Sequence, residues 1–397
     1  MKKKYIFMGP LYPAEHADAV KENQRGCNSA APNVFQWNLL EGLAEELADR
    51  MEVINVLPVG VWPKGYRKLL LPDRAWVSGG IAGRELGCVN LPFMKQYARY
   101  RKAKRILKSR EEQDTEILIY STYMPFLKAI YRLPPSVKVT VIVTDLPEYY
   151  DLGKATLLRR TLRKLQNRMI YRYLDRVDRF VVLTEQMTGP LRVGNRPWLR
   201  MEGICNAKVS RKAPEAPDTK AILYTGTLHY QYGIGALLQA FRSIEDPLSE
   251  LWICGSGEAE KEILELSRQD PRVKFYGFCS QQEVAQLRDK AAVLVNPRTN
   301  EGEYTKYSFP SKTMEYMASG KPVVMYKLDG IPEEYDQYLF YADPEDAGQG
   351  LKKALEEVLA HYDEAMQKAS QAQAFVLENK NAGRQAQKMI EFIGEHP

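Results

Sequence analysis

From residue 221 onward the chain repeats one pattern: a short aliphatic or β-branched run, a glycine or polar turn, then a helical stretch. AILYTGTL (221–228), LWICGSG (251–257), VKFYGF (273–278), AAVLVNP (291–297) and LFYAD (339–343) read as strands, and Val323-Val324 opens another. A helix is predicted to include Gly235 and Phe241, and another to start at Glu258. Ser280-Gln281-Gln282-Glu283 has the spacing of a capping box opening a third. Near-continuous apolar runs separated by helices suit parallel strands covered on both faces. The pattern therefore specifies an α/β fold with a doubly wound parallel sheet, in which ligands bind outside the carboxyl ends of the strands.

The earlier half repeats the theme less regularly. YIFMGP (5–10), MEVINVLPVG (51–60), EILIYST (116–122) and VTVIVTD (139–145) read as strands with helices between them. A chain of 397 residues is too long for one ordinary domain and fits two of about 200. The expected division is an N-terminal Rossmann-like domain over 1–200, a C-terminal one over 201–380, and a final helix over 381–397 returning to the first domain. The boundary falls near Arg196 to Ala207, before the proline-containing KAPEAPD.

Charge is unevenly shared. The first 200 residues hold 34 Lys and Arg against 20 Asp and Glu, and the remainder hold 22 against 30. The basic excess peaks over 154–179, where nine Lys and Arg stand with two Asp among leucines at helical spacing. A basic amphipathic helix there is either a domain helix with a basic outer face or a docking surface for anionic lipid. No nucleic-acid recognition motif accompanies it. No run approaches the roughly 18 apolar residues of a membrane span. The start, MKKKYIFMGPLYP, reads as a first strand rather than a leader. Five scattered cysteines (Cys27, Cys88, Cys205, Cys254, Cys279) without CxxC spacing fit a reducing compartment. The expected location is cytoplasmic, with peripheral association at the inner membrane face as the lipid-docking alternative.

SFPSKTMEYMASGKPVV (308–324) carries the densest chemical information. Pro310 suits the first turn of a helix and Gly320 the left-handed position after the last. Lys312 is out of place, because a cation in a first turn opposes the helix dipole by about 0.3–1 kcal/mol. An anion bound there reverses that cost. Glu315, one turn on, is placed to accept hydrogen bonds from a ligand hydroxyl. A phosphate and a ribose are the matching partners. The alternative is an i,i+3 ion pair on a solvated face. Ser311 stands beside Lys312. Arg298 and Lys306 lie in the polar loop RTNEGEYTKYS at the same sheet edge, and Arg298 is suited to fork onto a phosphate. Gly226, Thr227, Gly255 and Gly277 end strands at this edge.

Other chemistries find little support. Gly255-Ser256-Gly257 lacks the third glycine of a dinucleotide fingerprint, since position 260 is Glu. The four histidines show no metal-ligand spacing, and no Asp-x-Asp follows a strand, so neither a metal nor a tightly bound cofactor is expected. Asp145 closes an apolar strand, where a carboxylate is a candidate general base. Glu148 is a second candidate, and simple capping of the following turn is the alternative for Asp145.

The ordered set YTGTL, LWICGSG, VKFYGF, NPR, FPSKTMEYMASGKPVV and GIPEEY resembles the donor half of GT-B glycosyltransferases of group 1, family 4. The resemblance covers about residues 200–360; the N-terminal half joins it through the first strand with its following loop and through VTDLPEYY. It implies two Rossmann-like domains facing across a cleft and a nucleoside diphosphate sugar, a UDP-sugar foremost, as co-substrate without a metal. By resemblance Glu315 holds the ribose hydroxyls, Gly277 and Phe278 meet the base, Gly226 and Thr227 lie near the phosphates, and Gly26 and Glu148 lie on the acceptor side. Two departures stand out. The Arg and Lys that usually follow the first donor-domain strand are absent from TLHYQYG, and the usual acidic residue eight positions before Glu315 is Tyr307. Lys312 and Arg298 are then the candidates for the diphosphate charge. The Lys-x-x-acid arrangement is similar to a branch of polysaccharide enzymes that includes the xanthan glucuronosyltransferase, in which a cleft Asp is the base and the anomeric centre inverts. The expected activity is sugar transfer to an acceptor hydroxyl on a sugar or lipid-linked sugar, in polysaccharide or glycolipid biosynthesis. A nucleotide-sugar epimerase on the same fold, or a non-catalytic partner subunit, are the alternatives.

Overall fold

The computed structural model describes residues 3–25, 31–110, 114–149, 157–205 and 219–397. Gly26, Cys27, residues 154–156 of the basic segment and the KAPEAPD stretch lie outside the described residues. The chain divides into two compact units, Met1–Ile204 with Ala382–Pro397, and Cys205–Asn381.

The first unit contains strands β1 (Lys4–Pro10), β2 (Met51–Val56), β3 (Leu70–Leu71), β4 (Arg74–Ser78), β5 (Ile81–Glu85), β6 (Cys88–Val89), β7 (Thr115–Tyr120), β8 (Lys138–Val143), β9 (Arg179–Val182) and β10 (Trp198–Arg200). Its helices are α1 (Ala17–Asn23), α2 (Ala31–Leu47), α3 (Met94–Lys108), α4 (Met124–Ile130) and α5 (Leu157–Leu174). The sheet runs β10-β9-β8-β7-β1-β2-β5-β4, parallel except for the β4–β5 hairpin at its edge. The hairpin turns through Gly79-Gly80, both at positive φ. All six residues of β7 are buried, as expected of a central parallel strand covered on both faces.

Glu116 of β7 is buried among them; Lys3 Nζ lies 3.3 Å from its Oε2, and the adjacent strands engage its Oε1. Arg179 Nη1 of β9 lies 2.8 Å from Glu116 Oε1. The Thr140 hydroxyl of β8, between them, donates to the same oxygen at 3.0 Å. Arg179 Nε also donates to the His396 carbonyl at 2.5 Å. The ion pair thus ties three strands, at the edge opposite their carboxyl ends, to the chain terminus. The terminal helix (Ala382–Glu395) packs its Ala386, Met389, Phe392 and Ile393 into the core beside Leu39, Leu40 and Leu43 of α2.

The second unit contains β11 (Lys220–Thr227), β12 (Ser249–Ser256), β13 (Val273–Gly277), β14 (Val293–Asn296), β15 (Val323–Tyr326) and β16 (Phe340–Ala342). Its helices are α6 (Ile234–Arg242), α7 (Glu260–Gln269), α8 (Gln281–Lys290), α9 (Ser311–Ala318), α10 (Ala347–Ala360) and α11 (Tyr362–Asn379), and α12 (Ala382–Glu395) follows in the first unit. The sheet order is β13-β12-β11-β14-β15-β16, parallel throughout. Crossing from β11 to β12 on one side and to β14 on the other puts the topological switch point at β11, where such sheets bind ligands. Both faces carry apolar clusters, one around Leu237, Phe241 and Leu355, the other around Met317, Tyr335 and Val376. The chain enters and leaves this unit side by side, with the Cys205 N–H donating to the Lys380 carbonyl at 2.6 Å.

Two local expectations shift. The helix after β12 starts at Glu260 rather than Glu258, because Glu260 Oε1 turns back to accept the Gly257 N–H at 2.8 Å. Pro310 is the extended N-cap of α9, with ψ 107°, and stands before its first turn. α10 and α11 are separated by a break at His361, with φ −110° and ψ 46°.

A buried ion pair that loses one member leaves the other charged and unsolvated, which costs about 3–5 kcal/mol. Arg179→Ala should therefore lower the unfolding free energy of the first unit, read from urea titration, by up to that amount, with Lys3 still 3.3 Å from Glu116 Oε2 to soften the loss. The paired change Glu116→Met with Arg179→Met should cost much less. Equal losses from the single and double changes would show that packing, not charge, is what matters there.

Candidate functional site

The carboxyl ends of β11, β12, β13 and β14 and the amino end of α9 bring one set of polar groups together. β11 and β12 run in register to their last residues, Gly226 opposite Gly255 and Thr227 opposite Ser256. Gly255 is required to be glycine. Its φ is 149°, and a Cβ there would stand 1.7 Å from the Gly226 carbonyl oxygen.

α9 is fixed to β11 by a buried tyrosine. The Thr225 N–H donates to the Tyr316 hydroxyl at 3.1 Å, and the two hydroxyls are 3.0 Å apart. Burial pushes the Tyr316 phenol up to about 12, so it stays protonated. Tyr316 is one residue past Glu315 and faces the core, which leaves Glu315 exposed on the opposite side. Lys312, one turn earlier, reaches back over Gly226, and its ammonium donates to the Thr225 hydroxyl at 3.3 Å. Neither Lys312 nor Glu315 forms an ion pair with the other, or with any other of the described residues. Close packing desolvates the ammonium and lowers its pKa, a trend that Glu315 and Cys254 oppose and Arg288 of α8 reinforces. The result is a cation held near a second cation at a helix start, with a neutral hydroxyl as its partner. That arrangement is costly for the empty protein and favourable for a bound anion.

Arg298 follows β14. Its Nη2 donates to the Ser308 hydroxyl at 3.1 Å, and its guanidinium lies 5.9 Å and 5.2 Å from the Tyr232 and Tyr304 ring centres. Desolvation is the largest influence on it and lowers its pKa. Lys306 lies half-buried in the short 3-10 helix Glu303–Tyr307, and Ser311 is exposed at the start of α9. Tyr230 belongs to the turn that replaces the expected basic pair. Its N–H is held by Glu258 and its hydroxyl donates to Glu262 at 2.8 Å. Gly277 ends β13 at φ 65°, and Phe278 beside it is 84% exposed. An aromatic ring left that open at a sheet edge is available to stack on a ligand.

In the first unit, Asp145 follows β8. It accepts from the Thr144 hydroxyl at 3.3 Å, and Thr144 in turn lies 3.3 Å from the Tyr120 hydroxyl. Asp145 keeps accessible surface, yet protein atoms crowd its carboxyl, and this desolvation raises its pKa. Glu148 is engaged by Tyr171 of α5, whose hydroxyl lies 2.8 Å from both carboxylate oxygens.

Thr225, Tyr316 and Arg288 were not singled out from sequence. Thr225 had a signal, since it precedes the strand-ending glycine and alternates inward with Leu223. Tyr316 is adjacent to Glu315 and reads as core. Arg288 lies in an ordinary polar helix and had none. Among the described residues, no group of three or more His, Cys, Asp or Glu is placed to hold a metal ion.

Residues 219–361 match the family model of the Glycosyl transferases group 1. The uncharacterized glycosyltransferase MJ1607 of Methanocaldococcus jannaschii is 34% identical over 120 residues, 29% of each chain. The chain thus aligns with less than a third of that curated relative. Over the whole length it is similar to solved structures at low identity. Sucrose-phosphate synthase of Thermosynechococcus elongatus superposes with a TM-score of 0.66 at 17% identity, covering 99% of this chain and 98% of that one. HepE of Anabaena, solved in complex with UDP, superposes with a TM-score of 0.64 at 15% identity, covering 99% and 100%. The chain accordingly has the GT-B fold, and residues 219–361 are similar to the Glycosyl transferases group 1.

Proposed function

We propose that the protein is a glycosyltransferase that moves a sugar from a nucleoside diphosphate sugar to an acceptor hydroxyl. The observation that carries this reading is Lys312: a desolvated ammonium at the start of α9, hydrogen-bonded to Thr225 and without an ion-pair partner among the described residues. In the reading, the diphosphate lies against Lys312 and the free N–H groups of the first turn. Arg298 supplies further positive charge, and Lys306 and Ser311 flank it. Glu315 accepts from the ribose hydroxyls, and Gly277 and Phe278 receive the base. The departing diphosphate gains negative charge in the transition state, and preorganised cations in a desolvated site stabilise that charge strongly. Arg298 and Lys312 stand in for the pair missing from TLHYQYG, and the proposed chemistry uses no metal. A UDP-sugar is the proposed donor, supported by the complex of HepE with UDP. Asp145 is the proposed general base for the acceptor hydroxyl, in a polysaccharide or glycolipid pathway.

Most of the described part of the basic segment forms α5 (Leu157–Leu174), and Arg179 begins β9. Leu162 and Leu165 are 51% and 53% exposed, one turn apart, between the exposed Arg160, Lys164 and Arg168. This face suits docking at an anionic bilayer, where the acceptor of a glycolipid pathway resides. No helix among the described residues is long and apolar enough to cross a membrane.

Three measurements test the reading. By calorimetry, Lys312→Ala should weaken UDP binding by about 1.5–3 kcal/mol, the range for a hydrogen bond to a charged group. Glu315→Ala should weaken uridine and UDP alike, whereas Lys312→Ala should leave uridine unaffected. Unchanged UDP affinity in Lys312→Ala would overturn the site. In turnover, the acid limb of kcat/KM should lie above about pH 4, the ordinary carboxylate value, because Asp145 is raised and loses its base function as pH falls through that raised pKa. Asp145→Asn should lower kcat by about 10²–10⁴-fold and abolish that limb while UDP affinity is retained. Finally, vesicles containing phosphatidylserine should sediment the wild-type protein at low salt. Phosphatidylcholine vesicles should not, and Leu162→Asp with Leu165→Asp should abolish the difference.

A further inference from the structure

Two thiols meet beside the candidate donor site. Cys254 is buried near the end of β12, and Cys279 is half-buried two residues beyond Gly277. Their Sγ atoms are 3.0 Å apart, about 1 Å more than the roughly 2.0 Å of a disulfide bond. The backbone brings them together. The β12–β13 register breaks between Ile253 and Cys254, so that Cys254 falls opposite Gly277. Gly277 then turns the chain at φ 65°. Ser280 immediately afterwards is locked as the N-cap of α8 by its capping box with Glu283. Cys279 is therefore held between two fixed points, and its Sγ is 3.6 Å from the Gly277 carbonyl oxygen. Reversible oxidation starts at an accessible thiol with a second thiol in reach, and Cys279 is the accessible member of this pair.

We propose that Cys254 and Cys279 form a reversible disulfide that clamps the 277–279 turn onto the end of β12 and so weakens donor binding. The regulatory part rests on the donor reading above, in which Gly277 and Phe278 receive the base. The oxidant is a low-molecular-weight disulfide such as oxidised glutathione. The more accessible Cys279, as its thiolate, attacks one sulfur of that disulfide and expels a thiolate, giving a mixed disulfide. Cys254 gives up its proton, attacks Cys279 Sγ and expels the second thiolate. Two protein thiols lose two electrons and two protons, and one external disulfide becomes two thiols. Desolvation raises the Cys254 thiol pKa, which fits the role of the slower, resolving partner. Closing the bond draws Cys279 inward by about 1 Å and removes the freedom of the turn that carries Phe278.

The full-length protein, reduced with dithiothreitol or equilibrated with oxidised glutathione, should be analysed by peptide mass mapping and UDP calorimetry. The oxidised sample should contain a Cys254–Cys279 cross-linked peptide, lighter by two hydrogens, and its Kd for UDP should rise about fivefold or more, the lower range of coupled sites. Dithiothreitol should restore the reduced affinity. Cys279→Ser should bind UDP as the reduced wild type does and be indifferent to oxidised glutathione. Absence of the cross-linked peptide, or its presence with unchanged UDP affinity, overturns the proposal. If the reduced protein binds no nucleotide, the donor reading and the clamp's proposed effect fail together. Peptide mapping still decides separately whether the disulfide forms.

Discussion

The hydrogen bonds between Thr225 and Tyr316 set the chemistry of the second unit. A single phenolic oxygen accepts the backbone N–H of β11 and lies within hydrogen-bond reach of the neighbouring hydroxyl. Each bond contributes about 1 kcal/mol net, and leaving a buried partner unsatisfied costs about 1–3 kcal/mol. Their larger effect is positional. With Tyr316 pinned inward, the helical period brings Lys312 to the β11 edge and turns Glu315 outward. One anchoring residue therefore fixes a cation and an anion at different distances from the sheet edge. That separation is what a ligand with a charged and a hydroxyl-bearing end requires.

The electrostatic cost of this arrangement is tolerable because the rest of the unit is insensitive to it. Lys312 is lifted from solvent near Arg288, with Thr225 as its hydrogen-bond partner. Glu315 stands at i,i+3 and attracts the ammonium, yet the two do not approach to ion-pair distance. Relieving the strain internally would occupy the ammonium that the proposed ligand needs. The apolar clusters on both faces of the sheet supply the stability that lets this edge remain unneutralised.

Much of the second unit was legible in the sequence because its strands are short, apolar and separated by glycine turns. The strand expected at 221–228 is observed at Lys220–Thr227, and the capping box at Ser280 is present with both of its hydrogen bonds. Helix starts were less legible, since side chains such as Glu260 can hold the preceding turn outside the helix. The first unit was harder. The β4–β5 hairpin and the two-residue β3–β6 ribbon have no strong apolar period, and Arg179 reads as surface until Glu116 and Thr140 are seen beside it. Buried charge is invisible to a pattern that equates polar with exposed. Arg288 is hidden in another way, because its influence on Lys312 comes from its position in the fold rather than from its neighbours in sequence.

The thiol pair shows the same limit from another side. Cysteine spacing in sequence carries information only when both partners lie on one local turn, as in CxxC. Cys254 and Cys279 are brought together by a strand pairing with a register break, and neither neighbourhood signals the other. A parallel sheet routinely juxtaposes residues about 25 positions apart, one βαβ unit. Residues at strand ends are therefore the most frequent long-range neighbours on the ligand-binding edge. In this fold a thiol pair near a strand terminus would, once oxidised, act on the same turns that the proposed nucleotide site uses. Oxidation and ligand binding would thus be coupled through the 277–279 backbone itself, with no longer path needed.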